Sequence, residues 1–141
     1  MTRADPGRWL AVDWGTKRIG LAISDPTGTI AQPLATLTRR AGRRFPLQRL
    51  RGYLEEWRPV GIVVGLPLDA GGAEGPAARE ARATAELIAA KTGLPVELLD
   101  ERMTTARALE AVGPETGDRV DVDQRAAVVL LQLHLDRRRP S

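Results

Sequence analysis

The sequence predicts an α/β fold: a mixed β-sheet with an antiparallel hairpin on one side, parallel crossovers on the other, and helices on both faces. Near the amino terminus, two apolar runs are separated only by a short turn. Further along, the β-branched run "VGIVVGLPL" (residues 60–68) is followed by an alanine-rich segment and another short apolar run. Because strand-like runs here alternate with helical ones, parallel pairing through crossovers is favoured.

The amino-terminal half supplies the hairpin and a third strand. Residues 9–12 are apolar, a turn follows at residues 15–17, and Ile19, Leu21 and Ile23 then alternate with small or polar residues. This alternation predicts two antiparallel strands. The segment "TIAQPLATL" is a third strand, and its Pro33 favours an edge position because proline cannot donate to a neighbouring strand.

Two further strands are expected downstream. The uninterrupted run at residues 60–68 is typical of a strand covered on both faces. Val96 to Leu99 form a short strand that ends in Asp100 and Glu101.

Four helices are predicted. The first begins near Pro46 and ends before Pro59, the second runs from Pro76 to near Gly93, and a brief one extends from Thr104 or Thr105 to Leu109. The last helix carries one apolar face, with Asp123 near its start, and the predicted members of that face are Val122, Ala126, Val129, Leu130 and Leu133.

Length and composition limit the functional classes. A chain of 141 residues fits one domain, residues 1–141, with residues 1–8 and 137–141 expected to be flexible tails. There is no cysteine, which excludes disulfides and thiolate metal sites. No apolar stretch approaches the ~20 residues that a membrane helix needs, so we expect a soluble cytoplasmic protein with no membrane partner.

The charge distribution points to a polyanionic partner. The net charge is only +3, but arginines cluster at residues 39–44 and 137–139. Such clusters attract nucleic acid through phosphate contacts, although they are also compatible with a solvated surface.

Three carboxylates occupy comparable places in the predicted fold. Asp13 ends the first strand, Glu101 follows the last strand, and Asp123 lies in the first turn of the last helix. Side chains beyond the carboxyl ends of parallel strands converge on one crevice. Converging carboxylates repel one another unless a cation separates them, and oxygen ligands favour Mg²⁺ or Mn²⁺. Two such ions can activate a water and stabilise the leaving oxygen of a phosphodiester.

Each carboxylate also has a purely structural interpretation. Asp13 could accept hydrogen bonds from turn amides around Gly15, and Glu101 could form a surface ion pair with Arg102. Asp123 could simply be an acidic residue favoured at a helix amino terminus.

Other side chains near these carboxylates suit a phosphate. Lys17 and Arg18 lie in the hairpin turn, and the loop containing Gly71 and Gly72 can approach a phosphate closely. Trp14 is expected to pack in the core, with stacking against a base as the alternative. We expect His134 to be structural or solvent-facing.

The motifs together resemble one family over most of the chain, from Trp9 to Asp136. The blocks "VDWGTKRIGLAISD", "IVVGLPLDAGGAEGPAARE", "LLDERMTTARALE" and "VDQRAAVVLLQLHLD" occur in the order found in the YqgF family, also called RuvX. That family has an RNase H-like fold. Its members are described as Holliday junction resolvases and as nucleases that mature the precursor of bacterial small-subunit ribosomal RNA.

The resemblance implies a five-stranded sheet of order 3-2-1-4-5 with strand 2 antiparallel, and a dependence on Mg²⁺ or Mn²⁺. By motif, the catalytic and metal-binding residues are Asp13, Glu101 and Asp123, and we expect Lys17, Arg18 and Arg102 to orient phosphates. Typical members of this fold carry a carboxylate on the fourth strand, where this chain reads "VVGLPL". Glu101 is expected to replace it, with Asp100 and Asp69 as alternatives. The family pattern also has a smaller residue in place of Trp14.

The leading functional hypothesis is a metal-dependent endonuclease, acting as monomer or homodimer on precursor ribosomal RNA or on a DNA four-way junction. A nucleic-acid-binding module with weak or no catalysis, acting in transcription or ribosome biogenesis, is the alternative. The stretch "DWGTKRIG" also resembles the phosphate-binding hairpin of sugar kinases and actin-like ATPases, but those enzymes need two such domains.

Overall fold

The fold is that of a computed structural model, which describes residues 7–15, 18–38, 45–69, 71–101 and 122–138. The side chain of Asp123, all of Lys17 and Arg102, and the brief helix predicted to end at Leu109 lie outside these described residues.

Five strands and three helices form the described part of the chain. The strands are β1 (Trp9–Asp13), β2 (Arg18–Ser24), β3 (Ala31–Thr38), β4 (Gly61–Leu66) and β5 (Val96–Asp100). The helices are α1 (Leu47–Trp57), α2 (Pro76–Thr92) and α3 (Val122–Arg138).

The strands form one mixed sheet of order β3-β2-β1-β4-β5. β2 is antiparallel to β1 and β3, whereas β4 is parallel to β1 and β5. The predicted hairpin, the edge position of Pro33 and the strand order implied by the family resemblance are thereby confirmed. The all-buried β4 lies inside the sheet, as its uninterrupted apolar run predicts.

Helices cover both faces of the sheet. On one face, α1 and α2 pack on the strand residues Leu10, Val12, Ile62 and Val64. On the other face, α3 packs on residues of opposite parity, namely Trp9, Ala11, Ala22, Val63 and Leu99. This division follows from the two-residue period of a strand, and it assigns each strand residue to one helical layer.

The ends of α2 follow the predicted signals. Pro76 occupies its first turn, and Gly93 ends it with a left-handed backbone (φ 74°) that favours glycine. Arg58 adopts a similar left-handed conformation (φ 50°) after α1, just before Pro59.

The predicted apolar face of α3 is partly wrong. Val122 is 69% exposed, and Ala126 and Leu133 are only half-buried. The buried face contains Ala127, Leu130, Leu131, His134 and Leu135, together with Val129. Nearly every position from 126 to 135 is apolar, so the sequence pattern did not fix which side of the helix meets the sheet.

Of the two segments expected to be flexible tails, only residues 7–8 and 137–138 are described. The Arg8 guanidinium donates to the Ser24 carbonyl at 3.0 Å, and Arg137 and Arg138 belong to α3. His134 is buried, with its ring 4.5 Å from that of Trp9.

No described helix combines the length and apolar character required to cross a membrane.

Candidate functional site

Asp13 is the last residue of β1, the middle strand of the sheet. Its Cα pairs with that of Gly20 on β2. Because side chains alternate along a strand, Asp13 lies on the face of Trp9 and Ala11, which is the face that α3 covers. The side chain is half-buried and lies at the carboxyl ends of β1 and of its parallel neighbour β4.

Glu101 directly follows β5, which is separated from β1 by β4. The intervening β4 carries Gly65, whose Cα pairs with that of Leu99. A Cβ atom on residue 65 would lie 2.9 Å from Cγ and 3.0 Å from Cδ of Glu101, and closer still to its Oε2. The Glu101 side chain therefore crosses β4 through space that exists only because residue 65 is glycine.

Across this gap, the side chains of Glu101 and Asp13 form a hydrogen bond. Burial raises the pKa of Glu101 above its usual range, the hydrogen bond with Asp13 opposes this rise, and the charge of Asp100 adds to it. Two carboxyl groups in such contact require either a shared proton or a cation between them. The structure thus brings together two of the three carboxylates expected at the site.

The third carboxylate, Asp123, belongs to the first turn of α3. The neighbouring Gln124 donates from Nε2 to Oγ1 of Thr36 at 2.9 Å. Thr36 pairs with Gly20, and Gly20 pairs with Asp13, so the three residues form one row across the sheet. The backbone of Asp123 is thus next to a residue tied to this row, although no group of three potential metal-ligating side chains is found within the described residues.

Of the predicted phosphate-binding residues, Arg18, Gly71 and Gly72 are described, and they lie near the same edge of the sheet. Arg18 is exposed at the start of β2, opposite Thr38 of β3. In the loop after β4, the amides of Gly71 and Ala73 donate to Oδ1 of Asp69 at 2.9 and 2.8 Å, and the Gly72 amide donates to the Asp69 carbonyl at 2.9 Å. The two glycine amides are thus engaged within their own loop, and Asp69 organises that loop.

Trp14 packs in the core, as expected. It is buried, and its ring stacks on that of Phe45 with centroids 5.9 Å apart. Since it belongs to the core on the α1 and α2 side of the sheet, its bulk does not crowd the Asp13 carboxylate on the α3 side.

Sequence reasoning missed the roles of Gly65 and Gln124. A glycine inside a β-branched run signals close approach of another group, so the signal for Gly65 was present in "IVVGLPL". The contact of Gln124 joins residues far apart in the chain and has no local signature.

The described side chains fit a hard divalent cation. Asp13 and Glu101 supply carboxylate oxygens from two strands, and the glycine at position 65 leaves the space in which these oxygens meet. Oxygen ligands without cysteine or a histidine cluster are the donors that Mg²⁺ and Mn²⁺ prefer.

Comparisons with solved structures support the fold. The chain resembles Thermus thermophilus RuvC in complex with Holliday junction substrate, with a TM-score of 0.63 at 14% identity, covering 94% of this chain and 95% of that one. A second T. thermophilus RuvC structure gives a TM-score of 0.56 at 13% identity, covering 92% and 96%. The sheet is therefore the RNase H-like fold that the sequence motifs predicted.

Curated relatives are considerably more similar in sequence. Proteins from Kineococcus radiotolerans and Streptomyces avermitilis are each 45% identical, covering 95% and 96% of this chain and 74% and 89% of their own lengths. A protein from Anaeromyxobacter is 44% identical over 93% of this chain and 98% of its own. All three carry the provisional name pre-16S rRNA nuclease. The family model RuvX, described as Holliday junction resolvase, matches residues 7–137, and the chain belongs to this RuvX, or YqgF, family.

Proposed function

We propose that this protein is an endonuclease that hydrolyses phosphodiester bonds in structured nucleic acid with the help of Mg²⁺ or Mn²⁺. The observation that carries the proposal is the Asp13–Glu101 pair, held together across Gly65 at the carboxyl end of the sheet. Such a pair is unfavourable without a cation, and a purely structural role does not explain why a buried strand leaves a gap for it.

Asp13, Glu101 and Asp123 are the proposed ligands, for a pair of ions. A bound divalent ion would lower the pKa of a water and neutralise the charge that develops on the leaving oxygen. Asp13, at the end of β1, and Glu101, directly after β5, would fix the position of the ions because both are anchored to the sheet, and Asp123 would be the ligand from α3.

The cations at this edge orient the substrate. Arg18 lies exposed beside the Asp13 strand, and Lys17 and Arg102 adjoin Arg18 and Glu101 in the sequence. We assign the phosphate contacts to these three cations rather than to the amides of Gly71 and Gly72, which donate to Asp69.

The precursor of 16S ribosomal RNA is the proposed substrate because the relatives at 44–45% identity carry that name. Processing at its 5′ end is part of the proposal and rests on the family resemblance rather than on those names. A Holliday junction is the second candidate, favoured by the description of the family. Symmetric cutting of a junction would require a dimer, whereas cleavage of one RNA strand does not.

The test compares both substrates in one assay. Labelled precursor RNA and a labelled four-way junction are incubated with Mn²⁺, Mg²⁺ or EDTA and with wild-type protein, Asp13→Asn or Glu101→Gln. The matched control is Glu55→Gln, which changes an exposed carboxylate of α1. Loss of an ion ligand should slow cleavage by more than about a hundredfold, the upper range for residues that merely support ligands.

The alternative of a binding module without catalysis predicts a different result. Binding would then be independent of metal, cleavage would be absent, and wild type and Asp13→Asn would behave alike. Sedimentation of the protein alone and with each substrate would separate monomer from homodimer.

A further inference from the structure

Two glutamines attach α3 to the edge strand β3. At the start of the helix, Gln124 donates to Oγ1 of Thr36 at 2.9 Å. Two turns later, Gln132 accepts from the Ala31 amide at 3.0 Å and donates to the Thr29 carbonyl at 2.9 Å. The helix and the strand thus run antiparallel, with one polar contact near the carboxylates and one near the opposite edge of the sheet.

Apolar packing holds the two parts of α3 unequally. The buried face begins at Ala127 and continues through Leu135. Ahead of it, Val122 is 69% exposed, and Gln124 is only half-buried. The first turn therefore depends on polar contacts for its position. The hydrogen bond from Gln124 to Thr36 is one of these contacts.

This hydrogen bond lies next to the carboxylates. Thr36 is in the same row of the sheet as Gly20 and Asp13, and Gln124 follows Asp123 directly. A rotation or lift of the first turn would change the distance between the Asp123 and Asp13 backbones without disturbing the buried half of the helix.

We propose that Gln124 and Thr36 are positioning residues, which fix the first turn of α3 so that Asp123 completes the divalent-cation site with Asp13. The proposal rests on the proposed function, because it assumes that the carboxylates bind an ion. Gln132 makes the equivalent attachment at the far end, where it stabilises the helix but does not affect the site.

The test measures binding of Mn²⁺ alone to the full chain, by electron paramagnetic resonance of the free ion. Gln124→Ala and Thr36→Val each remove one partner of the bond, whereas Thr36→Ser keeps the hydroxyl and is the conservative rescue. Gln132→Ala is the matched control. Circular dichroism and thermal unfolding of every variant show whether it is folded.

We expect Gln124→Ala and Thr36→Val to raise the Kd for Mn²⁺ about tenfold, as loss of a ligand-supporting contact typically does. Thr36→Ser should stay within about twofold of wild type. Gln132→Ala should lower Tm but leave the Kd unchanged. In cleavage, kcat at a fixed limiting Mn²⁺ concentration should fall for the first two variants while KM for nucleic acid stays constant.

Equal Mn²⁺ affinity in wild type, Gln124→Ala and Thr36→Val would overturn this inference alone, since wild-type binding and cleavage would still support the proposed function. An equal loss of affinity in Gln132→Ala would also overturn it, because a general loosening of the helix would then explain the effect. Absence of Mn²⁺ binding in wild type would overturn both proposals.

Discussion

The side chain of Glu101 lies over the Cα of Gly65 and reaches Asp13 on the far side of β4. Three neighbouring strands therefore define one small site. Asp13 ends β1, Glu101 directly follows β5, and β4 between them contributes a glycine that leaves room for the Glu101 side chain. The geometry explains how a chain without a carboxylate on its fourth strand can still present a pair at this edge.

Gly65→Ala should displace Glu101 and weaken divalent-cation binding. The new Cβ would lie 2.9 Å from Cγ and 3.0 Å from Cδ of Glu101, closer than van der Waals contact allows, so the side chain has to move. We expect the Kd for Mn²⁺ to rise at least about tenfold, measured by calorimetric titration.

Gly61→Ala is the matched control for that substitution. Gly61 lies on β4, as Gly65 does, but near the opposite edge of the sheet. A Cβ atom at position 61 would lie 2.6 and 2.7 Å from ring atoms of Trp9 on β1. The substitution should lower the free energy of unfolding, by roughly 1–3 kcal/mol for such overpacking, without changing the Mn²⁺ affinity. Similar losses of affinity in both variants would show that position 65 has no special role.

Glu101→Gln should stabilise the protein in EDTA. Glu101 is half-buried and in hydrogen-bond contact with Asp13, so without a cation the pair must take up a proton or repel. An amide at position 101 can donate to Asp13 without that proton. The expected gain is on the order of 1 kcal/mol in the free energy of unfolding, read from urea denaturation. Saturating Mn²⁺ should raise the Tm of wild type but not of this variant; a destabilised variant in EDTA would contradict the account.

Stability should decrease below neutral pH through His134. Burial lowers the pKa of His134 below its usual 6.5, the nearby Glu97 opposes this, and Arg138 and Arg137 add to it. The unfolded chain therefore binds the proton more readily, so the stability that the neutral ring contributes is present above pH 6.5 and is lost as the pH falls through the folded-state pKa.

His134→Phe keeps a ring against Trp9 but removes the titration. Urea denaturation at several pH values between 7.5 and 5 should show a steeper loss in wild type than in the variant, by at most about 1.4 kcal/mol per pH unit for one proton. Parallel profiles would show that His134 does not titrate differently on folding.

Arg18→Gln should weaken nucleic-acid binding for all sequences alike. The slope of the logarithm of the binding constant against the logarithm of the salt concentration should become shallower, by the amount that corresponds to about one phosphate contact. Arg51→Gln, an exposed arginine on α1, is the control on the opposite face of the sheet. Filter binding at several salt concentrations measures both effects, in an Asp13→Asn background that we expect not to cleave. Identical slopes for the two variants would show that Arg18 does not contact the substrate.

Local sequence signals predicted the strands and the ends of the helices, because these features depend mainly on residues close together in the chain. Pro33 marked an edge strand, and Pro76 and Gly93 marked the ends of α2. The rotation of α3 was not predictable, since its apolar residues occur on nearly all sides. The buried face is defined by contact with the sheet residues Trp9, Ala11, Ala22, Val63 and Leu99.

The proximity of Asp13 and Glu101 was predictable, but the residues that support them were not. Asp13 and Glu101 each follow an apolar strand, which indicates the same edge of a sheet. That Gly65 lies between them depends on the register of three strands, and the partnership of Gln124 with Thr36 depends on where α3 docks. Both are tertiary relationships without a local pattern.

The most direct test of the cation site is anomalous diffraction from crystals of the wild-type protein soaked in Mn²⁺. We predict an anomalous peak bridging the carboxylates of Asp13 and Glu101, with an Asp123 oxygen as a further ligand, and no peak at this position in Asp13→Asn. A peak confined to other carboxylates, or Glu101 turned away from Asp13 in the soaked crystal, would contradict the account.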